Sequence, residues 1–373
     1  MKKILYVGGF ELPDKGAAAI RVMNNAKLFR ELGYEVYFLG VHKTDNPAKV
    51  NSIFNGFEYT TFQYPTSLFG WLRYLSVFTS FDEVERIKPD LVILYDCPGL
   101  AILKWKRYCQ KHGIKVVGDV TEWYMPNGNL VRKNLIALDT AIRMKYSHKK
   151  LDGVITISRF LYNYYSQVKR VLLPPLMDAT AYTVSLDRPE VLTLVYAGNG
   201  GKNKDRLDNV VRAINLLDNP KLVFKIIGLT KEQYEQMYEL KAEDKWGCIR
   251  FMGRLSHDET VNEIKNSHFQ IFVRHPNRVA TAGFPSKLPE SFAIGVPVIT
   301  NNTSNISEFL KNGDNGFLLQ TEEPEEICNV LKQILQMSQN DISIMIKTTK
   351  EDRSFDYHTY TEPMRLFLNE IFN

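Results

Sequence analysis

Short apolar runs recur along this chain, most of them followed by a stretch of helical periodicity, and they fall into two successive series divided by paired prolines. The first series is Lys3–Gly8 (KILYVG), Glu35–Leu39 (EVYFL), Leu91–Tyr95 (LVILY), Lys115–Gly118 (KVVG) and Gly153–Ile157 (GVITI). The second is Leu192–Ala197 (LTLVYA), Leu222–Ile227 (LVFKII), Ile249–Met252 (IRFM), Phe269–Val273 (FQIFV) and Pro297–Thr300 (PVIT). Continuous apolar runs, as opposed to alternating ones, belong to strands buried on both faces, and intervening helices give a parallel sheet covered on both sides. Between the series stands Leu173-Pro174-Pro175-Leu176-Met177-Asp178, continuing through Arg188-Pro189. Paired prolines cannot sit inside a helix or a central strand, so they mark an exit from the first unit. A length of 373 residues also suits two domains. The pattern therefore predicts an α/β protein of two doubly wound, Rossmann-like domains facing a central cleft. Residues 1–180 form the first and 181–354 the second. Ligands in such sheets bind outside the carboxyl ends of the strands.

Composition excludes several classes. With 44% hydrophobic residues the chain can bury a core, and four cysteines cannot staple a disulfide scaffold. Cys97, Cys109, Cys248 and Cys328 show no C-x-x-C spacing, which speaks against a zinc site or a redox pair. Met1-Lys2-Lys3 precedes an apolar run that stops at Gly8-Gly9, too short for a secretory leader, and no stretch reaches the roughly 20 apolar residues of a membrane span. A cytoplasmic protein is expected. Charge is uneven: residues 1–184 hold 25 Lys+Arg against 16 Asp+Glu, whereas residues 185–373 hold 22 against 26. Residues 101–150 alone carry 11 against 3. The basic half thus faces something anionic, or simply carries a solvated basic surface.

Three loops carry chemistry. The first, Gly8-Gly9-Phe10 through Gly16-Ala17-Ala18-Ala19, joins a strand to a helix ending near Leu32. Its glycines let backbone amides approach a ligand, and the helix N-terminus favours an anion. Arg21 follows one turn into the helix, where it either points toward the ligand or lies on the surface. The loop matches neither G-x-G-x-x-G nor the P-loop spacing, which weakens a dinucleotide or ATP reading. The second loop, Gly198-Asn199-Gly200-Gly201-Lys202-Asn203-Lys204-Asp205, precedes a helix with apolar positions Leu207, Val210, Val211 and Ile214. A Gly-rich turn with lysines at a helix start suits a diphosphate, though it also reads as an ordinary polar turn. The third runs from Arg274 through Gly283-Phe284-Pro285-Ser286-Lys287, opens a helix near Pro285 or Ser286, and turns at Gly295 into a strand. Glu290 lies one turn into that helix, where a carboxylate can accept hydrogen bonds from a ribose diol.

The run GFPSKLPESFAIGVPVIT (residues 283–300), followed by Asn305-Ile306-Ser307-Glu308-Phe309-Leu310 and Gly313-Asp314-Asn315-Gly316, resembles the donor-binding signature of family-4 glycosyltransferases. Gly8–Arg21, Asp152–Ser158 and Leu173–Asp178 are similar to their acceptor-side opening, the strand before the linker and the linker itself. The resemblance covers nearly the whole chain. It implies the GT-B fold, a retaining transferase of the bacterial surface-polysaccharide type, and a terminal helix over residues 355–373 that crosses back to the first domain. It places Lys204 at the donor diphosphate. It implies donor contacts by Gly16, Gly198, Asn199, Arg274, Gly283, Phe284, Pro285, Ser286, Lys287 and Glu290, and acceptor contacts by Gly9, Arg21, Glu122 and Trp123.

This sequence departs from that pattern at three places. The family often carries a pair of glutamates, of which Glu290 matches the second while Ala282 stands at the first. Sugar-hydroxyl contacts must then come from elsewhere, for instance amides near Gly283 and Phe284. Asn199 replaces an arginine of the phosphate loop, for which Arg274, Arg206 or Lys202 can substitute, Arg274 best because it ends a strand beside the donor loop. A histidine at the fourth-strand terminus gives way to Gly118-Asp119-Val120-Thr121-Glu122-Trp123-Tyr124, so that Asp119 and Glu122 become the expected catalytic carboxylates, each readable also as a cap or a buried hydrogen-bond partner.

No Asp-x-Asp pair is present to hold a metal on a diphosphate, and the expected chemistry uses neither metal nor cofactor; the nucleotide-sugar, with UDP the first expectation, is a substrate. Lys204 and Arg274 would stabilise the leaving nucleoside diphosphate. A sugar-nucleotide epimerase and a non-catalytic nucleotide-sugar binding protein share these features and remain alternatives. Nucleic acid is not an expected partner, since no reading motif accompanies the basic residues. Leu130–Lys150 reads as a basic amphipathic helix with Leu135, Leu138 and Ile142 on one side and Arg132, Lys133, Arg143, Lys145, Lys149 and Lys150 around it. Phe69, Trp71, Leu72, Tyr74, Leu75 and Phe78 form a second apolar segment. Both read either as core helices or as a surface for an anionic membrane, which would make the acceptor a lipid-linked glycan at the cytoplasmic face.

Overall fold

The computed structural model describes residues 1–13, 15–43, 49–65, 81–126, 128–201, 205–238 and 246–373. The chain divides into two compact units, one of Met1–Leu176, Ala282–Phe284 and Tyr357–Asn373, the other of Met177–Thr281 and Pro285–Asp356.

The first unit is built on an eight-stranded sheet: β1 (Lys3–Gly8), β2 (Glu35–His42), β3 (Lys49–Phe54), β4 (Phe57–Gln63), β5 (Leu91–Tyr95), β6 (Lys115–Val120), β7 (Gly153–Thr156) and β8 (Arg170–Leu172). Its order is β3-β4-β2-β1-β5-β6-β7-β8, parallel throughout except for the antiparallel β3–β4 pair at one edge. Helices α1 (Ala17–Glu31), α2 (Asp82–Ile87), α3 (Gly99–Lys111), α4 (Leu130–Ile142) and α5 (Arg159–Tyr164) accompany it. Alternate residues of one strand serve opposite faces. Ile4 and Tyr6 of β1 pack with Val22, Ala26 and Phe29 of α1 and with Met364, Phe367, Leu368 and Ile371 of the C-terminal helix. Leu5 and Val7 pack with Ala101, Ile102 and Trp105 of α3. Each such side chain, removed from water, contributes about 1.5–3 kcal/mol.

The second unit carries β9 (Leu192–Ala197), β10 (Leu222–Ile227), β11 (Ile249–Gly253), β12 (Phe269–Ile271), β13 (Val298–Asn301) and β14 (Gly316–Leu319). These form a parallel sheet in the order β11-β10-β9-β12-β13-β14. Around it lie α6 (Leu207–Leu217), α7 (Lys231–Met237), α8 (His257–Lys265), α9 (Arg278–Ala282), α10 (Lys287–Ile294), α11 (Pro324–Leu335) and α12 (Gln339–Glu351), and the chain ends in α13 (Thr361–Phe372). Leu207, Val210, Val211 and Ile214 of α6 are all buried, the face their spacing predicts.

Every apolar run of the two series is a strand, and the doubly wound architecture holds in both units. The antiparallel β3–β4 hairpin escapes the βαβ pattern. Its strands mix polar and apolar residues because an edge strand is covered less completely, and the available signal was the Asn55-Gly56 turn, both residues at positive φ (50° and 75°). Leu130–Lys150 is not one helix. After α4 the backbone passes through a π-helical turn, Arg143–Ser147, and a 3₁₀ turn, His148–Lys150. Arg143 is buried rather than part of the basic surface. The segment containing Phe69, Trp71, Leu72, Tyr74, Leu75 and Phe78 lies outside the described residues.

Candidate functional site

In the second unit, chemistry gathers at the carboxyl ends of β9, β12 and β13. The turn after β9 passes so close to its neighbour that a Cβ on Gly228 would fall 2.3 Å from the Gly198 carbonyl oxygen, which only glycine permits. Gly200 donates its amide to the Tyr196 hydroxyl at 3.1 Å, and that hydroxyl donates to Asp205 Oδ2 at 2.7 Å. Lys287, the first residue of α10, places Nζ 2.8 Å from the same oxygen. The other carboxylate oxygen faces Arg274 Nε at 3.7 Å. Arg274 is itself clamped by Asn301, which accepts from its amide at 2.8 Å and donates to its carbonyl at 2.7 Å. Two cations from separate loops thus converge on one carboxylate beside a Gly-rich turn. Burial would raise the Asp205 carboxyl, but Lys287, the Tyr196 hydroxyl and Arg274 outweigh it and hold it below its ordinary value. Glu290 moves the other way, raised by burial that the neighbouring His257 and Lys287 only partly offset.

The expected donor residues meet different fates. Gly198, Arg274, Lys287 and Glu290 lie in this region of the second unit, with Asn199 and Ser286 exposed and Pro285 buried. Lys204 lies outside the described residues, as does Lys202. The ammonium that the structure brings to the turn is that of Lys287, within 3.2 Å of where a Gly198 Cβ would stand. Arg206 is engaged elsewhere, with Asp208 and Glu322. Gly283 and Phe284 group with the first unit, as does Ala282, whose carbonyl accepts from Ser158 Oγ at 2.6 Å. The roles of Asp205 and Asn301 went unnoticed in the sequence, because their partners Lys287 and Arg274 stand 82 and 27 residues away, and Tyr196, nine residues from Asp205, read only as part of a buried strand.

In the first unit the structure corrects two expectations. Asp119, expected to meet acceptor or sugar, is 0% exposed. Arg21 is 3% exposed and pairs with it, Nη2 to Oδ1 at 2.7 Å and Nε to Oδ2 at 3.1 Å. The Tyr6 hydroxyl donates to Asp119 and Asn25 donates to that hydroxyl at 3.0 Å. Arg21 Nη1 also donates to the carbonyls of Leu173 and Pro174 at 3.1 and 3.2 Å. This sealed pair ties α1, β6 and the proline segment together, and no oxygen of Asp119 faces solvent. Its role is architectural. Gly9 and Gly16 are exposed, the latter capping α1 at φ 86° with no side chain bonded to the helix amides. Glu122 and Trp123 are half-buried, Trp123 packing edge-on against Phe160 and Tyr164.

A polar cluster that the sequence reading missed sits beside them, at the ends of β5 and β6. Asp96 adopts φ 45°, accepts from Thr121 Oγ1 at Oδ2, and leaves Oδ1 buried without a partner among the described residues. Arg143, which opens the π-helical turn, donates to the Asp96 carbonyl at 3.4 Å and lies over the Tyr124 ring at 4.5 Å. Burial pushes the Asp96 carboxyl up to about 7, Arg143 and Thr121 restraining the rise. An aspartate directly after the apolar run LVILY was the available signal.

The comparisons with known proteins fit this geometry. Residues 185–352 match the family described as glycosyl transferases group 1. The matched segment is less than half of the chain and spans nearly all of the second unit. No curated protein matches. Among solved structures, sucrose-phosphate synthase from Thermosynechococcus elongatus superposes with a TM-score of 0.73 at 12% identity, covering 100% of this chain and 99% of that one. HepE of Anabaena, in complex with UDP and glucose, gives 0.69 at 14%, covering 99% and 100%. The lipopolysaccharide outer core galactosyltransferase WaaB gives 0.64 at 16%, covering 98% and 99%. At these identities the likeness establishes the fold, which is that of GT-B glycosyltransferase structures.

Proposed function

We propose that the protein is a retaining glycosyltransferase that moves a sugar from a nucleoside-diphosphate sugar, UDP-sugar first, to a glycan or lipid-linked glycan of a cell-surface polysaccharide. The observation that carries the donor half is the convergence of Lys287 and Arg274 on Asp205 beside the Gly198–Gly201 turn. Asp205 fills the place of an anion between two cations, and in this reading it is an internal counter-ion that the donor diphosphate displaces. Lys287, Arg274 and the amides of the turn then stabilise the leaving diphosphate, so that charge compensation comes from the chain rather than from a metal ion. Glu290, raised by burial, stands one turn into α10 to take a ribose diol. Support comes also from the group 1 match over residues 185–352 and from the UDP and glucose held by HepE.

On the acceptor side, Glu122 and Trp123 remain the residues of interest now that Asp119 and Arg21 are sealed away. A lipid-linked acceptor implies a peripheral protein at the cytoplasmic face of an anionic membrane.

The test is thermal-shift screening against UDP-, GDP-, ADP- and CMP-sugars, followed by product analysis. A ligand at a hundred times its Kd adds about 2.7 kcal/mol. The expected result is stabilisation by UDP-sugar and slow release of free sugar from it without acceptor. An isomerised nucleotide-sugar would identify an epimerase instead, and binding without any turnover a sensor.

A further inference from the structure

Helix α4 presents its apolar stripe to solvent. Leu130, Val131, Leu135 and Leu138 are between 57% and 75% exposed, while Thr140 is the buried residue of the helix. Val131, Leu135 and Leu138 follow i, i+4, i+7 spacing, which lines them on one side of an α-helix. At 100° per residue Thr140 falls on roughly the opposite side. The stripe therefore points away from the body of the unit, the reverse of what an amphipathic helix on a globular core does. Among the described residues, six of the fifteen large apolar side chains that stand out to solvent lie between Met125 and Tyr146.

The helix is held at one end. Asp139 Oδ1 accepts the Gly99 amide at 2.7 Å, Ser147 Oγ donates to the Gly99 carbonyl at 2.9 Å, and Arg143 reaches Asp139 and Asp96. The turns before Asp139 project with their side chains mostly exposed. No Asp or Glu occurs from Trp123 to Leu138, whereas Arg132 flanks the stripe and Lys133, Lys145, Lys149 and Lys150 are exposed on the same segment. The first unit as a whole holds 26 Lys+Arg against 17 Asp+Glu. A second copy docking through this face about a two-fold axis would bring these cations against their own equivalents. An anionic bilayer answers both features at once, apolar side chains entering the acyl boundary and cations meeting headgroups.

We infer that α4 docks the first unit on an anionic membrane surface, with Leu130, Val131, Leu135 and Leu138 entering the bilayer interface and Arg132 at the headgroups. The inference rests on the proposed function only in linking the membrane to a lipid-borne acceptor. Its test is co-sedimentation of the full chain with vesicles of phosphatidylglycerol and phosphatidylcholine, and of phosphatidylcholine alone, at low ionic strength. Binding to the anionic vesicles is expected, weakening as salt is added. The Val131→Ser/Leu135→Ser/Leu138→Ser variant is expected to lose at least roughly tenfold in vesicle affinity, because it removes apolar burial in the interface, while stabilisation by UDP is unchanged. Absence of anionic-vesicle binding by the wild type, or wild-type binding by the triple variant, overturns the inference. So does self-association of the wild type that the triple variant abolishes, which assigns the face to a second copy. Vesicle binding without any UDP effect would leave the docking intact and remove the donor reading instead.

Discussion

The two units each hold an arginine against a buried aspartate, and the pairs differ in what else can reach them. In the first unit Arg21 and Asp119 are closed off, every Asp119 oxygen taken by Arg21, Tyr6 or Asn25. In the second, Asp205 is shared by Arg274 and by Lys287, whose side chain keeps 19% of its surface open to solvent. A buried pair is costly to break and need not add net stability. A partly open one can exchange its internal anion for an external one at little conformational cost. The same residue types therefore serve architecture in one place and ligand exchange in the other, and accessibility, not chemistry, separates them.

That contrast can be broken experimentally. The largest effect belongs to Asp119→Ala, which leaves Arg21 charged and buried: unfolding free energy in urea should fall by about 3–5 kcal/mol. A loss below 1 kcal/mol would mean that the pair is not sealed. Next comes Asp96→Asn. A carboxyl raised to about 7 in the fold and ordinary when unfolded binds its proton more tightly in the native state, so native stability declines as pH rises from about 4 through 7. The asparagine variant should exceed the wild type by up to about 4 kcal/mol at pH 8 and match it near pH 4, followed by melting temperature across that range.

Lys287→Ala sharpens the comparison from the other side. Its stability should change by less than about 1 kcal/mol, as for a part-exposed pair, while UDP-dependent stabilisation and sugar turnover fall about 10²-fold. Global unfolding of this variant, with no specific loss of UDP binding, would place Lys287 in the architecture with Arg21. A last effect appears in acid. Burial first, then Arg188, holds His268 down to about 4, and burial with Arg143 holds His148 to about 3. Both are neutral in the fold and take protons when unfolded below about pH 6.5, so each removes about 1.4 kcal/mol per pH unit below that point. In the first unit Asp96 tilts stability the opposite way over the same window. Both His268→Gln and His148→Gln should flatten the acid limb of the urea midpoint, His148→Gln further into acid because its folded value lies lower.

The strand series, the two-unit architecture and the apolar face of α6 were legible along the chain, since burial on both faces of a parallel sheet demands unbroken apolar runs. Gly198 and Arg274 could be picked out as loop residues because they follow strand ends, and Lys287 and Glu290 because they open a helix. Arg21 and Asp119 were misplaced because the sequence shows that a charge follows a strand or starts a helix, not whether a partner ninety-eight residues away closes over it. Asp205 and Asn301 depend likewise on which loops the sheet order brings side by side. Amphipathicity of Leu130–Ile142 could be read directly, but its orientation could not, because periodicity gives the angle between faces and only packing fixes which face looks inward. Residue pattern thus determined the elements and their alternation; tertiary structure decided which charges were sealed, which stayed open, and which apolar face was left for solvent, because burial is a property of neighbours in space.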